Sequence, residues 1–388
     1  MKQQGTTNRE VKKVNRNKVF RYLNSRENAS MPEIAAGIGV STPTVLTIVS
    51  ELLRAGVVCE EGELESTGGR KAKAYSVVSD SAIFIGLDIT KNHIGIVCTD
   101  LSEAVRCYKR DRVVFELTDV YLRKLAETVE SFLTENNIKR ELVKGIGVSV
   151  PGIVDANRNY LKESHLLNIK QGLSCEELCK YIPYDCYLVN DANAGAMAEC
   201  TGNNIHENMV YLSLSNSVGG ALIFKAGELT LEGNGYFRNL YVGDNWTGGE
   251  FGHIVIHPEG ETCYCNKKGC LDAYCSALVL ANKEGGRLEK FFEKLEAGNI
   301  EYRQIWEDYL KNLSYAIDTL IMSFDCEIVL GGYVGSFLEP YIEEYKRTIK
   351  ENSIFKQKDN FLRAAKYKIE ASALGAAAFL VEEFITLI

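Results

Sequence analysis

The sequence predicts an α/β protein in two parts: a winged helix-turn-helix over residues 1–78, then a body of two α/β lobes over residues 82–388. Three observations predict it. Three short helical periodicities and a hairpin pattern with a Gly-Gly tip fill the first stretch. In the body, a strand–strand–helix–strand series begins near Ile83, and a comparable series begins again near Met209. Charge divides at the same boundary: residues 1–78 hold 12 Lys/Arg against 8 Glu and no Asp, a net of +4, which leaves −12 on the rest of a chain whose total is −8. A basic head on an acidic body places a nucleic-acid partner at one end only.

In the head, Asn15 can cap a first helix with Val19, Tyr22 and Leu23 on one face, ending near Arg26. A second short helix covers Met31 to Gly37, and Gly39 makes the turn. Ser41 then caps a third helix, whose apolar stripe is Val45, Ile48, Val49, Leu52 and Leu53, with Gly56 closing it. Thr42, Pro43, Thr44 and Thr47 avoid that stripe and sit toward the N-terminal end, where such a helix meets base edges in the major groove. Val57 to Glu61 and Ala74 to Val78 read as a hairpin joined by a basic tip. At that tip Arg70, Lys71 and Lys73 can neutralise phosphates or enter a narrow minor groove, and Gly68 and Gly69 permit close approach. The competing reading is a small helical cap packed on the body.

The chain of 388 residues is too long for one ordinary core. No apolar run approaches the roughly 20 residues of a membrane span, and residues 1–16 lack an apolar signal core, so a cytoplasmic protein is expected. Twelve cysteines in such a chain favour thiols or metal ligands over disulfides.

The body reads as paired strands at Ile83–Asp88 and His93–Asp100, a helix at Val120–Asn136, and strands at Gly145–Val150, Tyr187–Val189, Met209–Leu214 and Gly220–Phe224. Late helices cover Tyr302–Ser323 and Ala373–Phe384. Between two such lobes a cleft is the expected ligand site. The turn Val150-Pro-Gly-Ile-Val-Asp155 and the pair Asn190-Asp191 put polar groups at carboxyl ends of strands, the ligand side of α/β sheets. Asp191 can equally cap a helix beginning at Ala192, so its role stays open at this point. Gly248-Gly-Glu-Phe-Gly-His253 is the third candidate element.

His253, Cys263, Cys265 and Cys270 carry the strongest chemical signal, as one imidazole and three thiolates complete a tetrahedral zinc shell. A closed shell of four protein donors implies a structural metal. His257 is an alternative fourth ligand. Reduced core thiols are the other explanation, but three cysteines on a polar, Lys-containing loop make a poor core.

Together these motifs resemble the ROK family (repressors, open reading frames and sugar kinases), from Asn15 to the C-terminal helix. The winged helix resembles the family's repressor branch, which includes xylose-type repressors. Gly249-Glu-Phe-Gly-His253, Cys263-Tyr-Cys265 and Gly269-Cys270-Leu-Asp272 look like the family's zinc signature. The resemblance implies an actin/hexokinase-like body and selects His253 as the fourth metal ligand. It also implies a sugar site in which Asp191 holds the position of the kinase base, vestigial here. Asn190, Glu250 and His253 fall on sugar-binding positions, so His253 would hold zinc by one ring nitrogen and face sugar with the other. Asp272 stands where the family has Glu.

The departures bear on activity. The family's phosphate loop Asp-x-Gly-Gly-Thr is Asp88-Ile-Thr-Lys-Asn92 here, and Gly-Thr-Gly-x-Gly-Gly is Ser215-Asn-Ser-Val-Gly-Gly220. Side chains in place of glycine keep backbone N–H groups away from phosphates. The expected protein is therefore a sugar-responsive transcriptional repressor without enzymatic activity. It would bind operator DNA as a homodimer or homotetramer, with a monosaccharide effector. The alternatives are an ATP-dependent sugar kinase with a DNA-binding head, and an interaction module with no small ligand.

Overall fold

Capping residues build the head in the computed structural model, which describes residues 8–63, 72–201, 207–225, 240–353 and 357–388. Helix α1 spans Asn8–Asn24, α2 Met31–Ile38 and α3 Thr42–Arg54. Ser30 and Glu33 form a reciprocal capping box on α2, Gly39 ends it at φ +68°, and Ser41 accepts the Thr44 N–H of α3. Asn15 is not a cap: α1 begins seven residues earlier, in a polar stretch whose first turns lack an apolar stripe. Strands β1 (Val58–Glu63) and β2 (Lys73–Val77) pair antiparallel, with Val58 opposite Val77.

The first lobe contains β3 (Ile83–Ile89), β4 (His93–Asp100), β5 (Val105–Arg112), α4 (Asp119–Glu135) and β6 (Val143–Val150). A small sheet of β7 (Ile153–Asp155), β8 (Tyr160–Glu163) and β9 (Leu173–Ser174) leads to α5 (Cys175–Leu178), β10 (Cys186–Asn190) and α6 (Asp191–Glu199). The second lobe contains β11 (Met209–Leu214), β12 (Val218–Ile223), β13 (Leu240–Tyr241), α7 (Leu271–Cys275), α8 (Ala277–Ala281), α9 (Leu288–Glu296) and α10 (Ile300–Phe324). It ends with β14 (Glu327–Gly331), α11 (Gly332–Gly335), α12 (Ile342–Asn352) and β15 (Leu362–Ala364), after which α13 (Ala371–Leu387) closes the chain. The two five-stranded sheets are alike: β10-β6-β3-β4-β5 and β13-β12-β11-β14-β15 each join an antiparallel meander to two strands parallel to its first. No single described helix is long and apolar enough to cross a membrane.

Helix α13 returns to the first lobe and lies between its sheet and α6. Where the backbones approach most closely, glycine faces alanine. A Cβ on Gly86 would fall 1.8 Å from the Ala373 carbonyl oxygen, one on Gly147 1.8 Å from that of Ala376, and one on Gly375 1.7 Å from that of Ala194. The opposite side of α13 meets the head: Val19, Phe20 and Leu23 share one core with Phe379, Val381 and Ile385. Gly375→Ala should lower stability by about 1–3 kcal/mol despite the ~1 kcal/mol gain in helix propensity, because the clash is with backbone. Urea denaturation measures this, and an unchanged midpoint would show that α6 and α13 can separate at no cost.

Candidate functional site

The cleft is organised by the β10–α6 corner. Asn190, extended at φ −66° and ψ 143°, is the N-cap: its side-chain oxygen accepts from Asn193 N at 2.9 Å. Its amide donates to Gly152 O at 2.9 Å and to Asp191 Oδ1 at 3.2 Å, tying the Pro151-Gly152 turn to the helix start. Asp191 is thus the first helical residue, so the capping role considered for it belongs to its neighbour. Its Oδ1 also accepts from Ala192 N at 3.0 Å, and its carbonyl accepts from Ser372 Oγ of α13 at 3.0 Å.

Burial, then the nearby Asp88 carboxylate, push the Asp191 carboxyl up to about 7. Asp88, buried at the end of β3 and accepting from Ser149 Oγ at 3.0 Å, is pushed up to about 6, chiefly by burial. Both line one cavity of about 40 Å³, room for a few waters.

Glycines bring a second loop, residues 248–253, close to β12 beside this cavity, without lining it. Gly249, at φ +86°, would place a Cβ 2.5 Å from Gly220 O, and a Cβ on Gly252 would lie 2.1 Å from Val218 O. The loop that carries Glu250 and His253 is therefore pressed on β12. Glu250 is exposed.

His253, Cys263, Cys265 and Cys270 present one donor atom each, all within 4.8 Å of one another. Sγ of Cys265 and Cys270 are 3.7 Å apart, and Cys263 Sγ is 3.8 Å from His253 Nδ1. A tetrahedral shell with metal–sulfur bonds of about 2.3 Å requires donor separations of about 3.8 Å, so the four fit a metal ion. The knuckle closes through Cys263 N donating to Lys267 O at 2.8 Å, with Asn266 at φ +68° and Gly269 at φ +75°. His257 is elsewhere: its Nε2 lies 2.7 Å from Asn312 Oδ1 of α10.

Asp272 faces the loop after β11. Its Oδ2 accepts from Ser217 Oγ at 2.8 Å and from Val218 N at 2.6 Å, which fixes the Ser215–Gly220 turn from below. In the other phosphate-loop position, Thr90 N donates to His93 O at 3.0 Å and Thr90 Oγ1 accepts from His93 N at 3.0 Å, so the β3–β4 turn closes on itself.

Several cleft residues escape sequence reasoning. Arg110 Nη2 of β5 donates to the Tyr333 hydroxyl of α11 at 2.9 Å, joining the lobes, and Tyr333, Lys91 and Lys368 line the same cavity as Asp191. The Gly331-Gly332 pair after an apolar strand was a signal for Tyr333; β5, an edge strand written Val-Arg-Cys-Tyr-Lys-Arg-Asp-Arg, offered little.

In the head, Thr42, Pro43 and Thr47 are exposed on the first turns of α3. Thr44 is half-buried, its hydroxyl 2.9 Å from Ser41 Oγ, and Thr47 Oγ1 donates to Pro43 O at 3.0 Å. Lys73 lies on β2 and pairs with Glu60 at 2.6 Å. Arg70 and Lys71 lie outside the described residues.

A family profile described as the ROK family matches residues 84–383. A xylose repressor from Caldicellulosiruptor bescii is 22% identical over 97% of both chains. Another from Bacillus subtilis is 26% identical over 70% of this chain and 67% of its own length. The DNA-binding transcriptional dual regulator NagC of Escherichia coli is 27% identical over 70% of this chain and 65% of its own. Among solved structures, a ROK family transcriptional regulator described as a homolog of the E. coli MLC protein superposes with a TM-score of 0.73 at 19% identity, covering 97% of both chains. A ROK family glucokinase from Streptomyces griseus, in complex with glucose and AMPPNP, gives 0.64 at 19% identity over 76% of this chain and 98% of its own.

Proposed function

The chain belongs to the ROK family, and from that premise we propose that it is a sugar-responsive transcriptional repressor with no kinase activity. One observation carries the reading: a single helix touches both the cleft and the head. At the start of α13, Ser372 Oγ donates to the Asp191 carbonyl. At its end, the Thr386 carbonyl accepts from Arg16 Nη1 at 3.0 Å and its Oγ1 accepts from Asn17 Nδ2 at 2.6 Å. Arg16 Nη2 in turn donates to Glu51 Oε2 of α3 at 2.7 Å. Arg21 adds an ion pair with the buried Glu103, at 3.2 Å, on the turn after β4. A ligand that favours one position of α6 thereby biases the seat of the reading helix. Such coupling needs a difference in affinity between two arrangements, typically about 1–3 kcal/mol.

The head, residues 1–78, reads operator DNA with Thr42, Pro43, Thr44 and Thr47, while Arg70, Lys71 and Lys73 face phosphates; two heads of a homodimer or homotetramer meet a palindrome. The body, residues 82–388, binds a monosaccharide through Asp191, Glu250 and His253, with Asn190 and Asp272 shaping the pocket. His253, Cys263, Cys265 and Cys270 hold Zn²⁺, a structural ion with no coordination position left for substrate. The names of the relatives, xylose repressors among them, support this reading. The self-closed turn at Thr90, the turn at Ser217 held by Asp272, and the Arg110–Tyr333 bridge support the loss of a nucleotide site.

The full-length chain should select pseudo-palindromic duplexes from a random pool. One member of a monosaccharide panel should then shift the binding midpoint about 5–150-fold, while coupled ATPase assays with the panel stay at background. ATP-dependent phosphorylation of any sugar would overturn the assignment.

A further inference from the structure

The same cleft contains a residue to which the sensor reading gives no task, and its role rests on that reading of His253 as a sugar contact. Tyr264 sits between Cys263 and Cys265 on the second lobe, and its ring reaches the first. It stacks on His165, in the connection between β8 and β9, with centroids 4.3 Å apart and planes 13° from parallel. Its hydroxyl is 3.1 Å from His253 Nε2 and 3.4 Å from Ser217 Oγ. Because Nδ1 of the same imidazole faces Cys263 Sγ, Nε2 is the nitrogen left for a ligand. A ring nitrogen has one in-plane position, filled by a proton or a lone pair, so it serves one strong hydrogen-bond partner at a time.

From these contacts we infer that Tyr264 is an internal competitor for the effector and sets its affinity. Its hydroxyl occupies the hydrogen bond at His253 Nε2 that a sugar hydroxyl must take, and His165 holds the ring in that position. A binding sugar displaces the phenol and, with it, a contact between the lobes, so occupancy of the site is tied to lobe movement. The occupant is a polyhydroxylated monosaccharide, whose hydroxyl can replace the phenol oxygen as hydrogen-bond partner. Tyr264 differs in this from a residue that merely lines the pocket: removing its hydroxyl strengthens binding.

The test is titration calorimetry of the full-length chain, purified with its metal, against D-xylose, D-glucose and N-acetylglucosamine. Tyr264→Phe keeps the ring on His165 and deletes the hydroxyl. It should bind the sugar that wild type binds about three- to tenfold more tightly, the worth of one neutral hydrogen bond. His165→Ala, at a residue that is not one of the metal donors, releases the ring and should also tighten binding. Metal content measured by emission spectroscopy should match wild type in both, and if Tyr264→Phe loses metal, His165→Ala decides alone. Equal or weaker binding by the metal-replete variants, while wild type binds, overturns the competitor role and leaves the sensor reading standing. If wild type and both variants bind none of the three sugars, the sensor reading falls and this inference with it.

Discussion

Asp191→Asn is expected to stabilise the free protein above neutral pH while removing most of its response to sugar. The folded-state value of about 7 lies well above the roughly 3.9 of an unfolded Asp, so the folded chain holds this proton more tightly. Stability from that difference is fully present below the unfolded value and is lost as pH rises through 7. At pH 8 wild type therefore carries an ionised carboxylate whose burial costs on the order of 1–4 kcal/mol. An amide does not ionise, and Asn190 already caps α6, so the variant escapes the cost without losing the cap. Against sugar the balance reverses. A carboxylate accepts at both oxygens, whereas an amide offers one acceptor, and losing a charged partner typically costs about 1.5–3 kcal/mol, more than tenfold in affinity. Wild-type affinity should also rise with pH through 7 as the carboxylate forms, and this rise should be absent in the variant. Urea denaturation at pH 5.5 and 8, with calorimetric sugar titration, checks both halves. A variant less stable than wild type at pH 8 would show the carboxylate to be a structural acceptor and not a strained ligand group.

The stability and the affinity of this site pull in opposite directions, and that opposition was partly legible in the chain. Asn-Asp at the end of an apolar strand marks a polar corner, and the Cys/His spacing marks a metal shell, because both signals are local. Ser30 and Ser41 likewise announce α2 and α3 through their own cap chemistry. Contacts made across the fold leave no such mark. Neither Tyr264 nor His165 carries a cue that they stack, since 98 residues separate them. Gly86, Gly147 and Gly375 read as ordinary small residues until α13 is seated on β3, β6 and α6. The division of labour between Asn190 and Asp191 also depends on a turn 38 residues away, where Gly152 O accepts the Asn190 amide. Lys73, counted with a basic tip, is placed by strand register opposite Glu63, and its side chain reaches Glu60.

Removing the metal should cost the cleft more than the head. Cys265→Ser, or exhaustive chelation, is expected to reduce the metal content from about one ion per chain to near zero, since a closed four-donor shell loses most of its affinity with one thiolate. The thiols and the imidazole that remain, gathered within 4.8 Å of one another, would then be held only by the loop's own backbone hydrogen bonds, such as Cys263 N to Lys267 O and Gly269 N to Glu261 O. That loop seats His253, and Cys270 immediately precedes α7, whose Asp272 holds Ser217 and Val218. Sugar binding should fall by more than tenfold, and the melting temperature should drop by several degrees, because structural zinc contributes directly to folding free energy. Operator binding without sugar should persist, as α2 and α3 pack on α1 and α1 packs on α13, away from the knuckle. His257→Ala is the control. Its Nε2 is engaged with Asn312, so the variant should keep its metal while losing a contact to α10. Full metal retention by Cys265→Ser, or its loss in His257→Ala, would reassign the shell.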